Sequence, residues 1–206
     1  DRRGNSFEGA SPTGVILEMY VLRVDMSSGG VCRTEIPRDW ELLGGRGVVA
    51  WILDREVGHA VEPLGPRNKL VVATGLLAGS LVCAANRVSV GARSPLTGTV
   101  KESNAGGTLG FTLGRLGVRA IVVENSAPAG RHFVLHVDRA GATLVDASEL
   151  VGLGTYERAK WLRRHFGERC GFLIVGPAGE QLLPAAGLVI SDREGRPGRF
   201  CGRGGL

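Results

Sequence analysis

No C-x-x-C pair joins any of the four cysteines, Cys32, Cys83, Cys170 and Cys201, so neither a zinc knuckle nor an iron-sulfur ligand set can be read from their spacing. Four scattered cysteines in 206 residues also argue against a disulfide framework. Long apolar runs are missing. Leu70 to Ala73 and Gly187 to Ile190 are strand-sized and far short of a bilayer span. A signal peptide is not apparent either, because Asp1 to Pro12 is polar and Gly-rich and Val15 to Val24 is broken by Glu18 and Arg23, which leads to the expectation of a cytoplasmic protein with no membrane contact. Aromatics are scarce, with 3 Trp, 2 Tyr and 6 Phe, and they do not alternate with basic residues along a strand, which argues against a nucleic-acid-binding surface.

Lysine is scarce too. Lys69, Lys101 and Lys160 are the only lysines among 25 basic residues, so the net charge of +5 is carried by arginine. Arginine's planar fork suits bidentate contacts to phosphate, although a GC-rich coding bias gives the same composition, and net charge alone does not choose a partner. What is abundant is hydrophobic side chains at 43 % and glycine, with 33 residues. That composition fits one globular domain, or two small ones, with a real core.

The first 18 residues read as a loose lead interrupted by Gly4, Gly9, Pro12 and Gly14, and Met19 is a candidate start. Tyr20 to Asp25 alternates as a strand, Ser27 to Gly30 turns, and Val31 to Ile36 returns as the second arm of a hairpin. A helical stretch begins at Trp40 to Leu43 and restarts after Gly44-Gly45-Arg46-Gly47, with Val48, Trp51, Ile52 and Arg55 at helical spacing. Strands are expected at Leu70 to Ala73 and Arg87 to Val90.

The second half repeats this plan. Val134 to Asp138 and its turn mirror Val21 to Asp25 at a spacing of 113 residues, while Gly176 mirrors Gly75 and Val189 mirrors Val88 at a spacing of 101. Tyr156 to Phe166 supplies the corresponding helix. Each half ends in a glycine-rich segment, Ser103-Asn104-Ala105-Gly106-Gly107 in the first and Cys201-Gly202-Arg203-Gly204-Gly205 in the second. The fold expected is therefore α+β, with duplicated strand-helix-strand halves forming two mixed β-sheets about a pseudo-twofold axis. One symmetric or two-part ligand could sit across two such loops, which are otherwise ordinary turns in a glycine-rich chain.

Familiar motifs fail. Gly44-Gly45-Arg46-Gly47 lacks the third glycine of a dinucleotide fingerprint, and Gly98 to Ser103 is no Walker loop and reads as a turn. His132 and His136 have no carboxylate motif beside them. Ser94 and Ser191 lack a nucleophile elbow, and Asp192 and Glu194 read as solvated turn residues between arginines.

Six runs in order carry a resemblance: Leu43-Gly44-Gly45-Arg46-Gly47; Pro63-Leu64-Gly65-Pro66 with Asn68-Lys69-Leu70; Ser94-Pro95-Leu96-Thr97-Gly98; Ser103 to Gly107; Gly176-Pro177-Ala178-Gly179-Glu180; and Gly202-Arg203-Gly204-Gly205. Across residues 20 to 206 the sequence resembles the N-terminal domain of the tungsten-containing aldehyde ferredoxin oxidoreductases. The resemblance implies a base domain, residues 19 to 206, for a tungstopterin, in which tungsten (or molybdenum) is held by the dithiolene sulfurs of two pterins. Following domains, or a companion subunit, would carry the iron-sulfur cluster, and the whole enzyme would oxidise aldehydes to carboxylic acids with ferredoxin as acceptor. Residue by residue, the implied contacts are Arg87, Asn104 and Gly106 on one side and Arg199, Phe200, Gly202 and Arg203 on the other, with no catalytic residue and no metal ligand from this chain. Glycine admits main-chain amides to a phosphate or a flat pterin, and arginine adds a charge-assisted fork. The plainer alternatives are a solvated edge charge for Arg87 and a turn cap for Asn104. Two departures stand out. Phe200 and Cys201 replace small residues common in the family, and the family continues beyond the position of Leu206 into a further strand and two helical domains. The chain is then expected to be inactive alone, as a fragment or one part of a split enzyme. The competing class is a stand-alone anion-binding module for a pterin, a nucleotide or nucleic acid.

Overall fold

The computed structural model describes residues 18–202 and 205–206. The loose lead expected for residues 1–18 lies outside these, apart from Glu18. β1 (Tyr20–Asp25) and β2 (Gly30–Glu35) form the expected hairpin. Its turn is held by Asp25, whose carboxylate accepts from Ser27 N and Ser28 Oγ and from Asn125 Nδ2. After a 3-10 turn at Arg38–Trp40 comes α1 (Arg46–Glu56), then β3 (Lys69–Thr74), β4 (Val88–Arg93), β5 (Val100–Ala105), α2 (Leu109–Arg115) and β6 (Val118–Glu124). These six strands make one mixed sheet in the order β2-β1-β6-β3-β4-β5, with β1 and β6 parallel and the other neighbours antiparallel.

The central strands β3 and β6 are buried on both faces, which is why Leu70 to Ala73 and Ala120 to Val123 read as continuous runs of Val, Ile, Leu and Ala. One row of the sheet's side chains, including Val21, Val71, Ala73, Ala120 and Val122, packs against Val48, Val49, Ile52 and Leu53 of α1. The opposite row, with Leu22, Val24, Val72, Val88, Val90 and Ile121, packs against Leu188, Ile190 and Cys201 from the second half of the chain. The two halves therefore share a core.

In the second half, β7 (Phe133–Val137) and β8 (Ala142–Asp146) form a hairpin, followed by a 3-10 turn at Ser148–Leu150 and α3 (Thr155–Phe166). Then come β9 (Leu173–Val175), the short α4 (Pro177–Glu180), β10 (Leu188–Ser191) and β11 (Pro197–Cys201). The order hairpin, 3-10 turn, helix and three strands thus occurs twice, with α4 set between the first two of the later three strands. Of the two mixed sheets expected, one is mixed. The later strands form an antiparallel sheet, β11-β10-β9, and a separate β7-β8 pair, because no ladder joins β7 to β9 among the described residues.

Ser191 joins the halves. Its carbonyl accepts from Thr108 N at 3.0 Å, its Oγ lies 2.6 Å from Thr108 Oγ1, and its Oγ and N bond Phe172 N and O at 3.0 and 3.1 Å.

A charged quartet fastens the last turn of α1 to the sheet. Arg23 reaches Glu56 at 2.6 and 2.9 Å, and Lys69 Nζ lies 2.7 Å from Glu56 and 2.6 Å from Glu124. Burial disfavours the Glu56 carboxylate, but hydrogen bonds from Arg23 and Lys69 outweigh it and hold its pKa below the ordinary value. A carboxyl depressed in the folded state stabilises above its unfolded pKa of about 4.3 and loses that contribution as pH falls through the folded value. Urea unfolding followed from pH 7 to about pH 3 should show wild type losing this increment on acidification. Glu56→Gln should be weaker at pH 7 by about 1–2 kcal/mol and should lose less on acidification.

Cys201 is 1 % exposed and burial pushes its thiol up to about 11, whereas Cys32 and Cys83 are exposed. Because the thiolate is the nucleophile, iodoacetamide at pH 8 should modify Cys32 and Cys83 in the native protein and Cys201 only after unfolding. Peptide mass mapping checks the order.

Candidate functional site

The polar pattern Val100-Lys101-Glu102-Ser103-Asn104-Ala105 is strand β5 at the edge of the large sheet, so the turn expected at Gly98 to Ser103 is confined to the residues before Val100. An edge strand buries little on its outer side, and its alternation is accordingly polar. Pairing with β4 sets Asn104 opposite Ser89 and Ala105 opposite Val88. Asn104 Nδ2 donates to the buried Ser89 Oγ at 3.1 Å, which fixes the amide and turns its Oδ1 outward. Arg87, entering β4, donates from Nε to Asn104 Oδ1 and from Nη2 to the Asn104 carbonyl at 3.1 Å. Both residues are exposed. A Cβ on Gly106 would lie 3.4 Å from Arg87 Nη1. The structure thus brings Arg87, Asn104 and Gly106 together, with a guanidinium edge beside a bare backbone, which is the chemistry of an anion cradle.

Arg87 is approached through the loop 75–86. Asn86 straps this loop, its Oδ1 accepting from Gly79 N at 2.7 Å and its Nδ2 donating to Ser80 O at 3.1 Å. The loop crosses α2 backbone to backbone. A Cβ on Gly114 would meet Ala78 C at 2.3 Å, and Gly79, at φ +86°, faces Gly114 in return.

On the other side, Arg199 and Phe200 lie on β11 opposite Ile190 and Val189, and both are exposed, Phe200 by 68 %. Gly202 follows, buried and with φ +91°. Arg203 lies outside the described residues. β11 meets β5 where Cys201 Sγ approaches the Ser103 carbonyl at 3.9 Å, so the strands that lead into the two glycine segments adjoin near their ends. No hydrogen bond joins Arg199 or Phe200 to Arg87 or Asn104 among the described residues. Ser89 and Asn86, which position Asn104 and the loop, escape sequence reasoning because strand register places Ser89 fifteen residues from its partner.

Other candidates resolve as structure. Asp192 folds over the β10-β11 turn, accepting from Glu194 N and Arg196 N and from Arg196 Nε. His136 stacks on Phe166 at 4.4 Å. Among the described residues no group of three or more His, Cys, Asp or Glu is placed to hold a metal ion, and no helix is long and apolar enough to cross a membrane.

The model of the family described as "Aldehyde ferredoxin oxidoreductase, N-terminal domain" matches residues 21–206. Tungsten-containing aldehyde ferredoxin oxidoreductase of Pyrococcus furiosus is 33 % identical over 190 residues, 90 % of this chain and 30 % of the relative. Its counterpart in Thermococcus kodakarensis is 32 % identical with the same coverage, 90 % and 30 %. Among solved structures, the active site complex BamBC of benzoyl coenzyme A reductase with 1,5 dienoyl-CoA superposes at a TM-score of 0.82, with 32 % identity over 90 % of this chain and 28 % of that one. The chain spans about 30 % of the length of the curated relatives. With its matched region running through both glycine segments and the strands that carry them, the chain belongs to the aldehyde ferredoxin oxidoreductase N-terminal domain family.

Proposed function

We propose that this chain is the cofactor-binding base of a bis-pterin tungsten or molybdenum oxidoreductase. The observation that carries the reading is the Arg87–Asn104 bracket beside Gly106 at the strand edge, with β11 meeting β5 nearby where Cys201 approaches Ser103. The residues fit such a group. Two of the Arg87 nitrogens are engaged by Asn104, so the guanidinium is held in place, and its Nη1 borders a position without a side chain. The repeated element order supports a pseudo-twofold relation between the Asn104–Gly106 and Phe200–Gly202 segments, one for each pterin, with Arg87 the cation of the first side and Arg199 and Arg203 those of the second.

When bound, the metal and its pterins supply the two-electron redox chemistry, RCHO + H2O → RCOOH + 2 e⁻ + 2 H⁺, while the protein supplies binding and orientation. In this reading Arg87 and Arg203 neutralise phosphate charge, Asn104 orients Arg87, and Gly106 and Gly202 admit the ligand to the backbone. Phe200 offers an aromatic face where a small residue would leave room. The remaining domains or a companion subunit carry the iron-sulfur cluster, pass electrons to ferredoxin, and complete a cytoplasmic enzyme.

The test is to express the chain with the remainder of its enzyme, without oxygen, on tungstate or molybdate. Metal analysis and fluorescence of the oxidised pterin should give one metal and two pterins per chain. A folded complex holding neither, while the isolated chain retains a nucleotide or nucleic acid, would favour the anion-binding module.

A further inference from the structure

We infer that Arg119 is an anion site of its own, apart from the Arg87 cradle, and that it takes one small free oxyanion of the phosphate type. Two buried arginines make the contrast. Arg158, 5 % exposed, has every guanidinium nitrogen engaged, with Nε donating to the Leu153 carbonyl at 2.8 Å, Nη1 to the Val175 carbonyl at 2.9 Å and Nη2 to Glu180. Arg119, 8 % exposed, has no such partner among the described residues. Its Nε and Nη1 are enclosed without an acceptor, which leaves Nη2 as the one nitrogen open to an incoming group. Burial alone pulls the pKa of this guanidinium down, and no carboxylate among the described residues offsets it.

A guanidinium withdrawn from water without a partner destabilises a fold. The backbone holds it there all the same. β6 pairs Val118 with Tyr20 and Ala120 with Val21, so Arg119 is the extra residue of a bulge in the parallel ladder. Bulges re-aim a side chain and gather beside functional sites. The Arg119 carbonyl accepts from the buried Thr74 Oγ1 at 3.2 Å, which ties the bulge to β3. Trp40 adds a second donor in want of an acceptor, since its Nε1 is enclosed and unpartnered among the described residues and its ring packs in the cluster that contains Val21 and Ala120. Indole and guanidinium nitrogens only donate, so the missing group is an acceptor, and a negatively charged one also compensates the cation.

Strand register relates the site to the cradle. Thr74 stands opposite Val88, the residue after Arg87, so Arg119 and Arg87 share one end of the sheet. Their strands, β6 and β4, are two spacings or about 10 Å apart. The chemistry of the two differs. Arg87 is exposed and bracketed by Asn104, whereas Arg119 has a single open nitrogen, which suits one oxygen of a small anion and not the face of a large ligand. Arg119 belongs to none of the contacts assigned to the pterins, and the inference does not rest on that reading.

The probe is inorganic phosphate, titrated into the intact chain at constant ionic strength against chloride, with thermal unfolding and the Arg119 Nε–H resonance in a proton–nitrogen correlation spectrum as readouts. At about a hundredfold excess over half-saturation the melting temperature should rise by about 5 °C or more, and the resonance should shift saturably. Arg119→Met replaces the buried cation with an apolar chain, so without phosphate it should melt about 3 °C or more above wild type, and with phosphate it should gain less than half the wild-type rise. Arg87→Ala should keep the full rise. The inference falls if Arg119→Met gains as much from phosphate as wild type, if it melts lower without phosphate, or if chloride serves as well. The wild-type resonance needs no variant, and a signal unmoved at saturating phosphate overturns the inference by itself. Loss of the rise in Arg87→Ala would assign the phosphate to the Asn104 bracket and overturn it too. In the enzyme assembled with its remaining polypeptide the resonance should still answer phosphate. A resonance already at the bound position there would give Arg119 a carboxylate of that polypeptide and overturn the free-anion assignment. No pterin or metal enters the titration of the chain, so its failure is separate from failure of the cofactor reading.

Discussion

Gly114→Ala is expected to lower the stability of the domain by about 3 kcal/mol, or about 10 °C in melting temperature for a chain of this size. The cause is geometric. A Cβ at this position would sit 2.3 Å from Ala78 C, 2.4 Å from Ala78 O and 2.5 Å from Gly79 N. All three are backbone atoms, so no rotamer change relieves the clash, and either the loop 75–86 lifts from α2 or the helix shifts on the sheet. Leu109 and Leu113 of α2 are buried in the shared core and resist the second course. The loop is therefore the part expected to yield, and with it the entry to Arg87. Gly58→Ala is the control, since its Cβ would make only an ordinary 3.8 Å contact with Val61. It should change stability by less than about 0.5 kcal/mol. Thermal unfolding of the two variants by circular dichroism decides the matter, and near-equal melting temperatures would refute the account.

Arg87→Ala should cost the assembled enzyme about tenfold or more in cofactor retention, the equivalent of losing one charge-assisted contact of about 1.5–3 kcal/mol. Arg87→Lys is the more telling variant. It keeps the charge but not the fork that engages both the side chain and the carbonyl of Asn104, so it should recover only part of the loss. Asn104→Ala should lower retention as well, by releasing Arg87 from its bracket. Retention is read as metal and pterin per folded protein after dialysis, with melting temperature monitored in parallel. Arg87 is exposed and belongs to no core cluster, so a large fall in melting temperature without cofactor loss would return it to the role of a structural edge charge.

The elements with a strong period were legible in the sequence. The first hairpin, the helix from Arg46, the strand ending at Thr74 and the helix ending at Phe166 stand where alternation or helical spacing put them. β5 was hidden because an edge strand is polar, and β11 because Pro197-Gly198 reads as a turn, although a proline is tolerated as the first residue of an edge strand. α2 has seven residues and two glycines, too few and too flexible for a helical signal, and it forms because Leu109 and Leu113 find the core. At the candidate site, Asn104 and Gly106 stand in an ordered glycine run and Arg87 is reached only through the family resemblance; that the three lie side by side is a finding of the structure. The bond between Arg87 and Asn104 was not legible, since it arises from strand register across seventeen residues of intervening chain.

The joint at Ser191 has a mechanical consequence. Thr108, at the start of α2, and Phe172, leading into β9, both end on this one residue, whose side chain is fully enclosed. A swivel of one half against the other would have to rupture several bonds at a single pivot and open the common interior at the same moment. The start of α2 and the entry to β9 are accordingly pinned to one another through Ser191, and neither can shift without the other.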